Sequence, residues 1–467
     1  MLSITRRQAR GLRPIFRRAT FDVAHRGPAP PLILDDTGER LVARCVNAGL
    51  AVEHKLGTTR GTPERIALPL DALADFEGRD DSIVSFERQP DGRTVAHWSD
   101  HGIPVTRVYD AIDPATLLAF SARPERTGPC SRALVEALAE ARQVAGEDSA
   151  RYALGSIQLR GVAGEVIATD GRQLLIRSGF RFPWPDDVLL TASPIFAAKG
   201  SPFDLDATIG RTATHVIFAS GPWTIAVAIR VDGRFPAVAS ILPEPSRIAT
   251  RLGLDPADAS FLADTLEHLP GGDGIDAPVT IDLNGKVCVR ASEANGSRPT
   301  ELVLARSNYN GPPIRLVSDR RLLAHAARLG PISIGFAGSD RPIVVRGEDR
   351  IYAWQPLSEH AALAPSPDAI RVTSTSLLAL PVAPAGRLPA PRTPVVTTPI
   401  ALVPADEPGT GLAALIREAE SLHATLTDAK TRSHRLIAAL RRHRKQSRLV
   451  QDTLKSLRQL NLRDVAG

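Results

Sequence analysis

One order of helices and strands recurs three times along this 467-residue chain. Each round runs from a helix through short strands to a second helix and then to further strands. The second helices are predicted to start near residues 69, 192 and 318, which gives a repeat of roughly 125 residues. The rounds share little sequence identity, so the repeat depends on pattern alone. The pattern predicts three similar, strand-rich α+β domains in tandem.

Apolar residues spaced three and four apart locate the helices, and alternating runs such as LILDD, RTVAHWS and KVCVRAS indicate the strands between them. Ser131 and Ser318 are the predicted N-caps of two helices. The helices are predicted at 3–18, 69–76, 131–145, 192–199, 258–269 and 318–329.

The composition excludes several classes of protein. A hydrophobic content of 43% is enough for large cores. Cys45, Cys130 and Cys288 lie far apart without a metal-ligand spacing, so we expect buried thiols in a reducing compartment and a cytoplasmic protein. No apolar run approaches the ~18 residues of a membrane span, so no membrane partner is expected. No catalytic constellation, cofactor motif or metal motif is present, which indicates a non-enzyme with neither metal nor cofactor.

Charge is divided unevenly along the chain. The net charge is +6, but residues 1–27 carry +6 and residues 411–467 carry +7, which leaves the body at −7. Basic ends on an acidic body indicate local contact with an anionic partner, although solvated helices would show the same charges. The Arg-rich start is also typical of an organelle transit peptide, but a basic first helix is favoured.

Two motifs in the second round suggest a family. Arg151-Tyr152-Ala153-Leu154 is followed by Ala168-Thr169-Asp170-Gly171, where Asp-Gly suits a tight turn. About sixty residues later come Gly233-Arg234-Phe235-Pro236 and a segment ending in Pro243. In this order and spacing, the motifs resemble the middle domain of the bacterial sliding clamp, the β subunit of DNA polymerase III.

The resemblance implies three tandem DNA-clamp domains, with helices inside and antiparallel sheets outside a homodimeric ring around double-stranded DNA. Such a ring slides without reading bases, and its inner helices should be basic. The stretches 69–81 and 255–269, which include two of the predicted helices, are acidic instead. The candidate DNA-binding residues are Arg6, Arg7, Arg10, Arg13, Arg17, Arg18, Arg151, Tyr152, Arg441, Arg442, Arg444, Lys445 and Arg448.

The resemblance also implies a cleft between the middle and last domains, where partner proteins dock QLxLF-type peptides. An ordinary core and turn would use the same residue types. The matching positions are Leu154, Thr169, Gly171, Arg172, Leu174, Pro243, Pro356 and Leu357.

The chain continues beyond the clamp-like part. Clamp domains are expected at 1–125, 126–246 and 247–360. A Pro-rich linker is expected at 361–410, and a basic coiled-coil or helical tail at 411–462. The tail ends in Gln459-Leu460-Asn461-Leu462, similar to the start of the clamp-binding peptide, so it is a candidate occupant of the cleft.

Two functions remain open at this stage. The first is a processivity clamp for DNA replication and repair, whose partners are DNA, a clamp loader, and polymerase and repair proteins. The alternative is a clamp-fold scaffold that does not encircle DNA and works through its basic coiled-coil tail as an oligomeric nucleic-acid or protein-binding module. The acidic helices favour the alternative, and the ordered motifs favour the clamp.

Overall fold

The structure is a computed structural model, and it describes residues 2–374 except 22–29, 60–61, 113–116, 121–122, 150, 197–202, 204–205, 273–275, 294–297 and 331. The predicted tail at 411–462 lies outside the described residues, and so do its candidate DNA contacts Arg441, Arg442, Arg444, Lys445 and Arg448. Within the described part, every helix is too short or too polar to cross a membrane.

Eight strands and two helices form the first repeat. They are β1 (Leu2–Thr5), α1 (Arg6–Phe21), β2 (Leu32–Asp36), β3 (Arg40–Val46), β4 (Leu50–Thr58), β5 (Glu64–Leu68), α2 (Ala72–Phe76), β6 (Ile83–Arg88), β7 (Thr94–Asp100) and β8 (Ile103–Tyr109). The strands pair in the orders β1-β6-β7-β8 and β5-β2-β3-β4.

The second repeat has the same order, and the described part of its second predicted helix, at 192–199, includes the 3-10 turn Pro194–Phe196. Its elements are β9 (Thr127–Pro129), α3 (Arg132–Val144), β10 (Ser156–Arg160), β11 (Glu165–Thr169), β12 (Gln173–Arg177), β13 (Asp187–Thr191), the turn Pro194–Phe196, β14 (Thr208–Arg211), β15 (His215–Ser220) and β16 (Trp223–Ala228). The pairing orders are β9-β14-β15-β16 and β13-β10-β11-β12.

The third repeat follows the same plan with additional strands. Its elements are β17 (Thr250–Leu254), α4 (Pro256–Thr265), β18 (Pro278–Asn284), β19 (Lys286–Ala291), β20 (Thr300–Val303), β21 (Asn308–Asn310), β22 (Ile314–Asp319), α5 (Arg320–Arg328), β23 (Ile332–Phe336), β24 (Ile343–Arg346), β25 (Arg350–Trp354) and β26 (Ile370–Thr373). The orders are β21-β17-β23-β24-β25 and β22-β18-β19-β20-β26. Strands β21 and β26 therefore lie outside the shared plan.

Two junctions join the repeats into continuous sheets. Strand β4 pairs antiparallel with β16 over five residues, from Leu50 opposite Val227 to His54 opposite Trp223. Strand β12 pairs antiparallel with β25 over five residues as well. Each junction thus unites the fourth strand of one repeat with the last shared strand of the next repeat.

The helices cover the sheets with their apolar sides. In α1, Ala9, Leu12 and Phe16 are almost fully buried, in accordance with their three- and four-residue spacing. Helix α1 packs against α2, and α4 packs against α5. The three cysteines are free and buried as predicted, and burial raises the pKa of Cys45 and of Cys130 to about 12.

Three sequence-based expectations need correction. Ser131 caps α3 as predicted, but Asp319 caps α5 in place of Ser318, because pairing with β18 keeps Ser318 within β22. The first helix starts at Arg6, after a short strand. The linker predicted from residue 361 is wrong for its first part, since Ile370–Thr373 form β26 and extend the last sheet.

Candidate functional site

A tight turn between β11 and β12 forms the centre of the predicted cleft. Asp170 Oδ1 accepts hydrogen bonds from the backbone N–H groups of Arg172 and Gln173, both at 2.8 Å. Gly171 has a φ of 90°, which side-chain-bearing residues rarely adopt. Thr169 Oγ1 donates to Gln173 O at 2.6 Å and closes the other side. The Asp-Gly pair therefore forms the turn that the sequence predicts.

A small apolar cluster lies beside this turn, separate from the main core. Ile167, Leu174 and Val238 are buried in it. Phe235 and Leu242, from the Gly-Arg-Phe-Pro corner and the segment after it, pack against the cluster and stay partly exposed. The cluster is thus an apolar surface that is incompletely covered by the described residues.

The other middle-domain residues of the predicted cleft approach the same turn. A Cβ atom added at Gly171 would lie 3.8 Å from Leu154 Cδ1, so the Leu154 side chain borders the turn. Ala153 N–H donates to Arg234 O at 2.9 Å, which ties this segment to the Gly-Arg-Phe-Pro corner. Pro243 O accepts a hydrogen bond from Arg346 Nη2 at 3.1 Å, so the end of the second repeat is anchored to β24 of the third.

A backbone hydrogen bond links the Asp-Gly turn to the last-domain side of the predicted cleft. Gln355 N–H donates to Arg172 O at 2.9 Å, and the next residue, Pro356, is buried. Leu357 turns away toward β22, where its N–H donates to Val317 O at 2.8 Å. Arg172 also pairs with Asp276, with 2.5 Å between Nη2 and Oδ1. These contacts draw both repeats around the Asp-Gly turn.

Sequence reasoning missed several members of the apolar cluster. Side chains alternate along a strand, so Ile167 shares a face with Thr169, and Ile176 shares a face with Leu174. That two-residue period was the signal that could have identified both isoleucines. Phe235 was visible within the Gly-Arg-Phe-Pro motif but was not assigned to the cleft. Val238 and Leu242 join through tertiary packing that no local pattern indicates.

A basic groove runs between α1, α3 and the turn Pro194–Phe196. It has a volume of about 790 Å³. Its charged lining consists of five arginines and one acid, namely Arg10, Arg13, Arg17, Arg18, Arg142 and Glu77. Four of the arginines predicted from the first helix therefore share one surface with an arginine of the second repeat.

The other two predicted arginines of α1, Arg6 and Arg7, are not among the residues that line this groove. Arg6 is buried, contrary to its expected role as a DNA contact. Its guanidinium donates to Phe76 O and Ser99 O and lies 2.8 Å from Asp100 Oδ1. Arg7 is exposed, but it pairs with Asp81 at 3.1 Å. Arg6 is thus a structural residue that fastens α1 to the sheet beside it.

Acidic residues near α2 serve mainly as partners of these arginines. Glu77 pairs with Arg13, and Asp80 pairs with Arg6 at 3.2 Å. In the third repeat, Asp258 is buried and accepts hydrogen bonds from the N–H groups of Arg306 and Ser307. The acids that favoured a scaffold without DNA encirclement are therefore largely neutralised or used in turns.

Arg151 and Tyr152 lie in the turn before β10. The Arg151 guanidinium sits 5.1 Å from the centre of the Tyr152 ring, and that of Arg234 lies 5.7 Å from the same ring. Two guanidinium groups that contact one aromatic ring place two positive charges on the same surface. The groove between α1 and α3 is lined by other residues, so the predicted DNA contacts fall on at least two surfaces.

No known family model matches the sequence, and no curated protein matches it. Solved structures do match. The DNA polymerase III subunit beta from Pseudomonas aeruginosa aligns with a TM-score of 0.64 at 16% identity, over 76% of this chain and 99% of its own. A putative DNA polymerase III beta subunit from Eubacterium rectale aligns over the same shares at 14% identity, again with a TM-score of 0.64. The beta subunit from Thermotoga maritima aligns with a TM-score of 0.64 at 13% identity, over 78% of this chain and 99% of its own.

The chain has the fold of a bacterial DNA sliding clamp, as the motifs of the second repeat predict. Each of these neighbours aligns along nearly its whole length, so the likeness includes all three repeats. About a quarter of this chain has no counterpart, which is about the length that follows β25. One further neighbour, a sliding clamp from Pseudomonas aeruginosa, was solved bound to griselimycin.

Proposed function

We propose that two copies of this chain close head-to-tail into a ring around duplex DNA and act as a processivity platform for polymerase and repair proteins. The observation that carries the proposal is the match to sliding-clamp structures over 99% of their length. A ring that encircles DNA stays bound without contacting bases. This mode of binding suits a protein with a basic groove and no base-reading element identified in its sequence.

The repeat itself supports a head-to-tail ring. Both junctions in the chain pair the fourth strand of one repeat with the last shared strand of the next. In the first repeat that last strand is β8, and it has no neighbour on its outer side among the described residues. Ile103 and Val108, near the two ends of β8, are 66% and 52% exposed, whereas the central residues of β16 and β25, Ala226 and Tyr352, are buried. An exposed apolar edge of this kind is suited to pairing with another chain.

The groove between α1 and α3 is the proposed contact with the DNA backbone. Arg10 and Arg17 are exposed in it, and their charges would attract phosphates without reading sequence. The tail residues Arg441, Arg442, Arg444 and Lys445 are a second proposed contact. A loader that opens the ring is a further proposed partner, as the resemblance implies.

Retention on closed-circular DNA tests the ring. At protein concentrations that drive association, we expect the chain to remain on a nicked plasmid through gel filtration in high salt and to leave when the plasmid is linearised. Arg10→Glu combined with Arg17→Glu should weaken initial binding at low salt at least tenfold. Arg88→Glu, an exposed arginine on β6, is the control. Equal loss from circular and linear DNA would contradict the ring.

The apolar cluster beside the Asp-Gly turn is the proposed docking site for QLxLF-type peptides of partner proteins. Its partly exposed side chains and the half-buried Leu154 offer pockets for the peptide's leucines. Leu154→Ala should weaken binding of a fluorescent QLxLF-type peptide about tenfold, in line with the loss of one well-packed anchor. Leu322→Ala, a partly buried leucine of α5, is the matched control. Equal affinities of the two variants would count against this site.

A further inference from the structure

The third repeat has a strand edge that corresponds to the two edges used in the junctions. Its fourth strand is β20, in the place that β4 and β12 hold in the first and second repeats. In both junctions the fourth strand of one repeat pairs antiparallel with the last shared strand of the next repeat. We therefore expect β20 to pair in the same way with the last shared strand of a following repeat. The described residues hold three repeats, so under the proposed function that strand is β8 of a second copy.

In this structure the edge of β20 is already occupied. Strand β26 pairs with it in parallel, from Thr300 opposite Ile370 to Val303 opposite Thr373. Both junctions between repeats are antiparallel, so β26 differs from them in direction. The strand also lies outside the plan that the three repeats share. Strand β26 therefore occupies the edge on which β8 of a second copy would pair, but it runs in the opposite direction.

A strap of chain holds β26 against this sheet. After β25, Leu357 N–H donates to Val317 O in β22, and Leu363 N–H donates to Thr280 Oγ1 in β18 at 2.9 Å. Ile370 N–H then donates to Pro299 O, next to β20, at 2.9 Å. The strap thus crosses the sheet from one edge strand to the other before β26 pairs.

The side chains of β26 that contact the rest of the protein are largely exposed to solvent. Arg371 Nε lies 2.9 Å from Glu301 Oε1, but the Arg371 side chain is 58% exposed. Val372 is only partly buried against the core. In sequence β26 reads Ile-Arg-Val-Thr, and β8 begins Ile-Pro-Val-Thr, so three of four residues agree. A short, half-exposed strand of this kind is replaceable by a longer one.

We infer that β26 is a detachable occupant of the ring-closing edge, and that β8 of a second copy pairs with β20 only after β26 has left. This inference rests on the proposed function. If β8 docked on the outer side of β26, it would be displaced by one strand spacing of about 4.8 Å and rotated by roughly 20° relative to the two junctions. If β8 instead pairs directly with β20, it repeats the geometry of the two junctions. Every contact between repeats in the ring then joins a fourth strand to a last shared strand.

Occupation by β26 lowers the apparent affinity of the dimer. Only the fraction of molecules with β26 detached can pair, so the measured dissociation constant equals the intrinsic one divided by that fraction. Any partner that binds the strap or the chain beyond residue 374 and pulls β26 away would promote ring closure. The strap and β26 would thus control assembly.

Paired proline substitutions in the full chain test the inference. Ile370 and Ser374 both donate their N–H groups to the β20 side. Because strand N–H groups alternate in direction, that of Val372 points to β20 as well, and that of Thr373 points outward. Val372→Pro therefore removes a bond to β20, whereas Thr373→Pro changes the outer edge and is the matched control.

The readout is solution mass against concentration, by sedimentation equilibrium. We expect Val372→Pro to lower the dimer dissociation constant at least tenfold, and Thr373→Pro to match the parent chain. Adding Val108→Asp, which places a charge on the exposed face of β8, should reverse the gain. Arg371→Glu replaces the ion pair with Glu301 by repulsion and should lower the dimer dissociation constant by a smaller factor, about threefold. It is the variant to use if circular dichroism shows that Val372→Pro does not fold.

Three results would overturn the inference. The first is an equal dissociation constant for Val372→Pro and Thr373→Pro, with no gain in affinity for Arg371→Glu. The second is a gain in dimer affinity that Val108→Asp does not reverse. The third is a parent chain that dimerises as tightly as Val372→Pro. A Val372→Pro dimer that is not retained on circular DNA would keep the inference and overturn the proposed function, so the two failures are distinguishable.

Discussion

The β12–β25 junction and the β20–β26 edge are both bridged by ion pairs between arginines and acids, but the pairs differ in number and in solvent exposure. At the junction, the buried Arg177 bridges Glu140 at 2.9 Å and Asp349 at 2.8 Å, while Arg350 holds Glu140 at 2.7 Å. At the edge, Glu301 bridges the buried Arg290 at 2.6 Å and the exposed Arg371 at 2.9 Å. The bridging group is buried in both places, but the junction has a second crossing pair, Arg350 with Glu140, in which both side chains are only 22% exposed.

The difference separates a permanent contact from an exchangeable one. The junction also has Tyr352 OH donating to Gln173 Oε1 at 2.8 Å, across five antiparallel pairs. The edge has four parallel pairs, which are slightly less stable per residue. Opening the junction would break two ion pairs, Arg177 with Asp349 and Arg350 with Glu140. Detaching β26 would break one, return the exposed Arg371 to water and leave the buried Glu301 paired with Arg290. The first arrangement suits a fixed joint within a chain, and the second suits a strand that detaches.

The largest effect should come from cutting the junction network. Arg177→Met removes a buried cation from two acids, and we expect it to lower the free energy of unfolding by about 2–4 kcal/mol. Urea unfolding followed by tryptophan fluorescence measures the change. Arg160→Met, which breaks a surface pair with Glu165, is the control and should cost under about 1 kcal/mol. Similar losses for both variants would show that the junction is not held by this network.

A smaller effect is expected at the edge. Arg371→Ala removes a side chain that is mostly in water, so the free energy of unfolding should fall by less than about 1 kcal/mol. Hydrogen exchange of the β26 amides should nevertheless become faster, because local opening requires only that the edge strand detach. A loss in stability as large as that of Arg177→Met would contradict the contrast between the two regions.

The smallest effect concerns pH at the junction. Burial alone would raise the pKa of Asp349, but the hydrogen bond and charge of Arg177, with the charge of Arg350, outweigh it and hold that pKa below its ordinary value. A lowered pKa stabilises the fold above about pH 3.9, the ordinary value, and this contribution is lost as pH falls through the folded-state pKa. Asp349→Asn should therefore cost less than about 1 kcal/mol at pH 7, because the side chain is half exposed, and less at pH 2 than at pH 7. A cost that persists unchanged at pH 2 would assign it to packing.

The sequence predicted the repeat and the Asp-Gly turn because both are local. Alternating and three-to-four-residue apolar spacings reflect the burial of each strand and helix, and Asp170-Gly171 folds through its own side chain and backbone. The burial of Arg6 was missed because its partners lie some seventy or more residues away in sequence. Strand β26 was missed because four residues in a Pro-rich segment carry little pattern, and only their pairing with β20 makes them a strand.

Retention on DNA by the β26 variants tests the central claim most directly. After assembly on a nicked circular plasmid, the residence time of Val372→Pro should exceed that of Thr373→Pro at least tenfold at the same concentration, and linearisation should abolish the difference. This result is expected only if a ring closes around DNA through the edge that β26 occupies. Equal residence times on circular DNA, or an advantage of Val372→Pro that survives linearisation, would contradict the account.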